Sequence, residues 1–257
     1  MPPPVVVNEH RIYCSQRCQQ KSEEIHSILY SNSSYSSVWI EHALSNKIDR
    51  FLMSGEVFTR VFVDIREHGK SAEEAWGPYK HFASGSWIEL ISNQTSDVDT
   101  KEKLCNDLQT LLKTSHQILL QVLSERYPDV RTTGKPWQDY ITLNHFDKIM
   151  GLFELNNPTI EIDSPFHFYF GKVHADKTLH KKASPVLGPL VQKINTKHNC
   201  IPSCHGHGLF YVHSCMNHSC NPNAKQTSLP TITEAEIAIE AQKEIQKGEE
   251  ITISYVK

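Results

Sequence analysis

The sequence predicts an α+β protein, with a helical first part followed by a smaller β-rich part. Three observations carry that expectation. Between residues 101 and 127, Leu104, Leu108, Leu111, Leu112, Ile118, Leu119, Val122 and Leu123 recur mainly at three- and four-residue spacing, as on an amphipathic helix. Near Asn156 the pattern changes, and prolines, glycines and histidines cut the chain into short pieces. Beyond that point residues 237–241 (IAIEA) and 251–255 (ITISY) alternate in character, as half-buried strands do.

In chain order, residues 1–9 read as a disordered or extended leader. Residues 13–30 (YCSQRCQQKSEEIHSILY) read as a turn with closely spaced metal-ligand types running into a helix, which sets 10–35 apart as a unit. Further helices are predicted over 36–52, 56–68, 71–84 and 136–154, so that 36–155 is a helical region. Pro128 lies just past the leucine-rich helix, where a stop signal belongs, and Pro136 suits the first position of the last helix. From 156 to 257, strands are predicted at 208–212 (GLFYV), 237–241 and 251–255. Between the last two, residues 242–250 (QKEIQKGEE) form a charged turn with Gly248 as its pivot.

A chain of 257 residues can bury a sizeable core, and 39% hydrophobic with 21% charged residues is ordinary for a globular protein. A formal net charge of -3 announces neither a nucleic-acid nor a membrane partner. No apolar run approaches the roughly 20 residues of a membrane helix. The start of the chain lacks the basic residues and long apolar stretch of a signal peptide. A nuclear or cytoplasmic location is therefore expected, and the seven cysteines read as thiols or metal ligands rather than disulfides. Cys14 and Cys18 sit together, Cys105 is alone, and Cys200, Cys204, Cys215 and Cys220 share a short histidine-rich span.

Two motifs carry the chemistry. Residues 217–224 (NHSCNPNA) form a tight polar loop in which Pro222 blocks a helix and the asparagines accept turn geometry. Residues 248–255 (GEEITISY) follow after a strand-like segment. Together they resemble the C-terminal signature of SET-domain protein-lysine methyltransferases. The preceding GHGLFYVHSCM closely resembles the subgroup that carries a MYND zinc module inside the SET domain. The wording around 206–224 is most like a branch of it implicated in histone methylation. The resemblance proper covers about residues 199–256.

The resemblance implies methyl transfer from S-adenosylmethionine to lysine, with histone tails as the substrate class and a pseudoknotted fold around the NHS loop. It implies that Tyr255 is the catalytic tyrosine, for which an aromatic packed at a strand end is the plain alternative. Asn217 and His218 are implied to hold the cofactor, and His218 equally suits a loop brace. Phe210 and Tyr211 either line the lysine channel, where aromatic faces favour a methylated ammonium, or simply pack in a strand. Cys220 matches a cysteine that joins post-SET cysteines around zinc.

A second resemblance lies at the other end of the chain. Tyr13, Cys14 and Cys18, followed by His26, resemble the closing half of a MYND finger. Cys14, Cys18 and His26 stand where zinc ligands would, and Tyr30 stands where the last cysteine is expected. Structural zinc takes four ligands in a closed shell, so such a site does not close as written. The glycine-rich G-x-G segment and the post-SET cysteines of the family have no counterparts either, and a chain incomplete at both ends is expected. The rival expectation is a catalytically incomplete remnant that binds partners as an adaptor. Cys200, Cys204, His205 and His207 have tolerable ligand spacing but no family counterpart, and read as variable loop. Glu234, Glu236, Glu240, Glu249 and Glu250 read as an acidic rim for basic tails or as solvated charge.

Overall fold

A hairpin opens the chain. β1 (Val5–Asn8) pairs antiparallel with β2 (Arg11–Tyr13), so the valine run expected in a disordered or extended leader is extended and paired. The structure is a computed structural model describing residues 5–13, 15–156, 158–162, 172–173, 175–198, 204–228 and 237–255. The chain divides into two compact units, Met1–Asn157 and Pro158–Lys257.

In the first unit, α1 (Gln16–Leu29) starts where the Ser15 side chain accepts from the Cys18 amide, and it buries Ile25, Ile28 and Leu29. The helix predicted over 36–52 is two helices, α2 (Ser34–Ser45) and α3 (Arg50–Arg66). Lys47 between them has φ 55°, a left-handed conformation that a helix interior does not accommodate. α4 (Ala72–Trp76) opens with a capping box between Ser71 and Glu74. It stops well short of residue 84, because Gly77 and Pro78 divert the chain into a 3-10 turn. α5 (Trp87–Ser92) and α6 (Val98–Arg126) follow, the latter capped by Asp97 and ending just before Pro128. Pro136 does not begin the next helix. Buried Trp137 donates its indole N–H to the Val130 carbonyl, a 3-10 turn follows at Gln138–Tyr140, and α7 (Leu143–Asn156) starts only at Leu143.

α3 is the spine of this unit, with Phe51, Phe58, Val61, Phe62 and Val63 buried along it. Phe58 meets Phe146 edge-on with ring centroids 5.7 Å apart, and Phe62 meets Tyr127 at 5.2 Å and Trp137 at 5.6 Å. Two glycines permit close approach. A methyl group on Gly55 would come within 2.7 Å of the Trp39 ring, and one on Gly151 would overlap the carbonyl oxygen of Gly85.

In the second unit, β3 (Thr159–Ile162) pairs antiparallel with β4 (Cys204–His207). Between them α8 (Lys177–His198) carries Pro185 and Pro189 inside it, where the sequence predicts only short pieces. The strand predicted at 208–212 is absent. The Ser214 amide instead donates to the Phe210 carbonyl, closing a single helical turn, α9 (Tyr211–Ser214). Then come β5 (Asn217–His218), β6 (Ala224–Ser228), β7 (Ile237–Ala241) and β8 (Thr252–Ile253). β6 and β7 form an antiparallel ladder from Ala224↔Ala241 to Ser228↔Ile237, and β5 pairs in parallel with β8. Met216, Ala224 and Ile253 form a small buried cluster with Ile239 packed against it. No helix among the described residues is long and apolar enough to cross a membrane.

One half-buried group makes the first unit sensitive to acid. His145 lies against Trp76 and Tyr140 at ring distances of 4.9 and 5.3 Å, and its Nε2 has no hydrogen-bond partner. Burial, reinforced by the charge of Lys148, pushes its pKa down to about 4. Between pH 6.5 and that value the unfolded chain binds a proton that the folded one refuses, so stability falls as pH falls. Urea unfolding at pH 7 and pH 4.5 is expected to show a loss of about 2 kcal/mol from this group, absent in His145→Gln.

Candidate functional site

The loop that follows β5 is fastened to β8 by one side chain. Asn223 is 3% exposed. Its Oδ1 accepts from the Thr252 amide at 2.9 Å, and its Nδ2 donates to the Glu250 carbonyl at 2.8 Å and the Glu249 carboxylate at 3.1 Å. Its backbone carbonyl accepts from the Gln242 amide at 2.8 Å. Pro222 precedes it and bars a helix, and the Asn221 amide turns back to the Ser219 hydroxyl at 3.1 Å. On the facing side Gly248, at φ 89°, supplies the turn conformation that a side chain would disfavour. The Gln246 amide and the Asn223 side chain hold the Glu249 carboxyl below the usual carboxylate range.

The parallel register sets Asn217 beside Thr252 and His218 beside Ile253, and the Ser219 amide donates to the Ile253 carbonyl at 2.9 Å. This brings Tyr255 to His218. The Tyr255 amide donates to His218 Nδ1 at 3.0 Å, and the two rings lie 5.4 Å apart. An Nδ1 that accepts leaves the proton of a neutral imidazole on Nε2, which sits 3.3 Å from Cys220 Sγ. The Tyr255 hydroxyl donates to the Met216 carbonyl at 2.6 Å. Asn217 Nδ2 donates to the Glu250 carboxylate at 2.6 Å. Tyr255, Asn217, His218 and Cys220 thus come together from two distant stretches of sequence. All four are exposed, so the cluster offers hydrogen-bonding groups and an aromatic ring to a ligand.

Phe210 and Tyr211 do not stand in a strand. Phe210 caps α9 and is half-buried, and Tyr211 begins the helical turn and is exposed. Asn223 is the residue that sequence reasoning missed as part of the site. The signal was the final asparagine of NHSCNPN, a small amide with donors and an acceptor placed to bridge two backbones. Glu249 and Glu250 are exposed, and each carboxylate is bonded to the loop.

Of the expected zinc ligands, Cys220 is in the cluster with Tyr255, and Cys18 and His26 belong to the first unit. Cys14 is outside the described residues, and Cys18 is half-buried on α1. His26 has Nδ1 3.2 Å from the Tyr13 hydroxyl and Nε2 3.4 Å from the Glu56 carboxylate. Its ring stacks on Tyr13 at 5.7 Å and meets Tyr30 edge-on at 5.1 Å. The Tyr30 hydroxyl donates to the same Glu56 carboxylate at 2.7 Å. His26 thus has a polar partner near each imidazole nitrogen, and Tyr30 belongs to the same cluster. Among the described residues no three His, Cys, Asp or Glu side chains gather as a metal site.

Residues 13–256 match the family described as SET domain. The chain belongs to the SET-domain family. It is 27% identical to the histone-lysine N-methyltransferase ATXR2 of Arabidopsis thaliana over 96% of this chain and 55% of that protein. It is 38% identical to the protein-lysine N-trimethyltransferase SMYD5 of Homo sapiens over 66% of this chain and 40% of that protein. The histone-lysine N-methyltransferase SET5 of Scheffersomyces stipitis is 22% identical over 95% of this chain and 42% of its own length. The chain therefore spans about half the length, or less, of these relatives. No solved structure gives a significant match.

Asn223→Ala leaves the Thr252 amide and the Glu250 carbonyl without their partner in a buried place, at a cost of about 2–3 kcal/mol. Amide hydrogen exchange is expected to show faster exchange at Thr252, with the amides of α3 unchanged.

Proposed function

We propose that this chain is the cofactor-binding and catalytic end of a protein-lysine methyltransferase. The observation that carries the reading is the double fixation of Tyr255, by His218 Nδ1 at its backbone and the Met216 carbonyl at its hydroxyl. S-adenosylmethionine supplies an electrophilic methyl group on a sulfonium. Asn217 and His218 hold it, on the exposed edge formed by β5 and β8. The lysine ε-amine, with an ordinary pKa near ~10.4, must lose its proton before it attacks, and burial beside a cation favours that loss. Tyr255 orients the amine toward the methyl group, a task of position rather than of proton transfer. Phe210 and Tyr211 flank the path of the lysine stem.

The finer reading places the chain in the SET-and-MYND branch, near SMYD5 and Set5, with a pseudoknotted NHS loop, histone tails as substrate and a nuclear or cytoplasmic location. The names of ATXR2 and SET5 support a histone substrate, and that of SMYD5 supports a protein lysine. Zinc enters this reading at two separate places, through Cys14, Cys18 and His26 near the start of the chain and through Cys220 beside the NHS loop. Metal analysis of the full-length protein is expected to find bound zinc, and a folded, metal-free protein refutes that part.

The central test uses the full-length protein with tritiated S-adenosylmethionine and core histones. Tyr255→Phe is expected to lower the rate by about 100-fold or more while cofactor affinity holds. Undiminished activity removes Tyr255 from the mechanism. A folded full-length protein that does not bind S-adenosylmethionine favours an adaptor instead.

A further inference from the structure

Glu250 does more for the site than add charge. A carboxylate only accepts hydrogen bonds, so at 2.6 Å it takes the N–H side of the Asn217 amide and turns the carbonyl oxygen away from itself. An asparagine without such a partner presents donor or acceptor with similar ease. The backbone that carries Glu250 is itself fixed. Its carbonyl accepts from Asn223 Nδ2 at 2.8 Å, and the Thr252 amide donates to Asn223 Oδ1 at 2.9 Å. Asn217 is held on the other side by its register with Thr252. The orientation of the amide is therefore set by a chain of contacts that begins at buried Asn223.

We propose that Glu250 is a positioning residue that sets Asn217 to present its carbonyl oxygen to a cationic N–H donor, the ammonium at the amino-acid end of the cofactor. This rests on the cofactor reading given above. The negative charge behind the amide polarises it and strengthens its oxygen as an acceptor for a cation. Glu250 touches neither the methyl group nor the lysine.

Isothermal titration of the full-length protein with S-adenosylmethionine tests this in a double-mutant cycle. Glu250→Gln is expected to weaken binding about tenfold, because a glutamine amide donates or accepts and lets Asn217 turn. Asn217→Asp sets two carboxylates face to face and weakens binding by a similar factor. In the double variant the aspartate accepts from the glutamine amide and presents an acceptor in either rotamer, so affinity returns to within about threefold of wild type. A merely structural role for Glu250 gives additive losses instead. Additive losses, or an unchanged affinity in Glu250→Gln, overturn the positioning role while leaving cofactor binding intact. A wild-type protein that does not bind the cofactor overturns both.

Discussion

Asn223 satisfies three backbone groups and one carboxylate in a place almost closed to water. Strand β8 is only two residues long, and its partner β5 is equally short, so their own ladder cannot hold the parallel register. The amide of Asn223 supplies what the ladder lacks. It pins Thr252 and the preceding turn to the polar loop, and Met216, Ala224 and Ile253 close an apolar floor beneath. Everything that makes the second unit a site depends on that register. A slip by one residue would send His218 and Tyr255 to opposite faces.

From the register follows the arrangement of the exposed side chains. Tyr255 is held at both ends by groups from the segment just before the loop. Asn217 is directed by a carboxylate from the facing turn. The acidic residues of that turn are thus internal to the site. Glu249 is consumed by Gln246 and Asn223, and Glu250 by Asn217.

The first unit is held differently. Its order comes from aromatic rings along α3 and from glycines that let helices touch, the ordinary means by which an apolar core excludes water. His26 lies between Tyr13, Tyr30 and Glu56, and this hydrogen-bonded aromatic cluster ties the hairpin and α1 to α3.

Much of this was legible in the sequence. The leucine spacing from 104 to 123 fixes a long helix because burial of one face is a property of period, whatever packs against it. NHSCNPN and GEEITISY, read together, single out Asn217, His218 and Tyr255, which the parallel register of β5 and β8 brings together. Where local grammar was ambiguous the sequence misled. Residues 36–52 look helical throughout, yet one left-handed lysine divides them, and GLFYV has strand composition but no strand to pair with among the described residues. Hydrogen bonds between residues distant in sequence are a third class, invisible to spacing. That Asn223 reaches Thr252, that Glu250 takes the amide of Asn217, and that His26 turns to Glu56 depend on which backbones come within 3 Å or so of each other. The sequence by itself determined the kinds of residue in the site and the helical or extended tendency of each stretch, because these follow from side-chain chemistry and period. Only the tertiary structure decided which of them meet, because hydrogen bonds between residues far apart in the chain exist only once folding has brought them together.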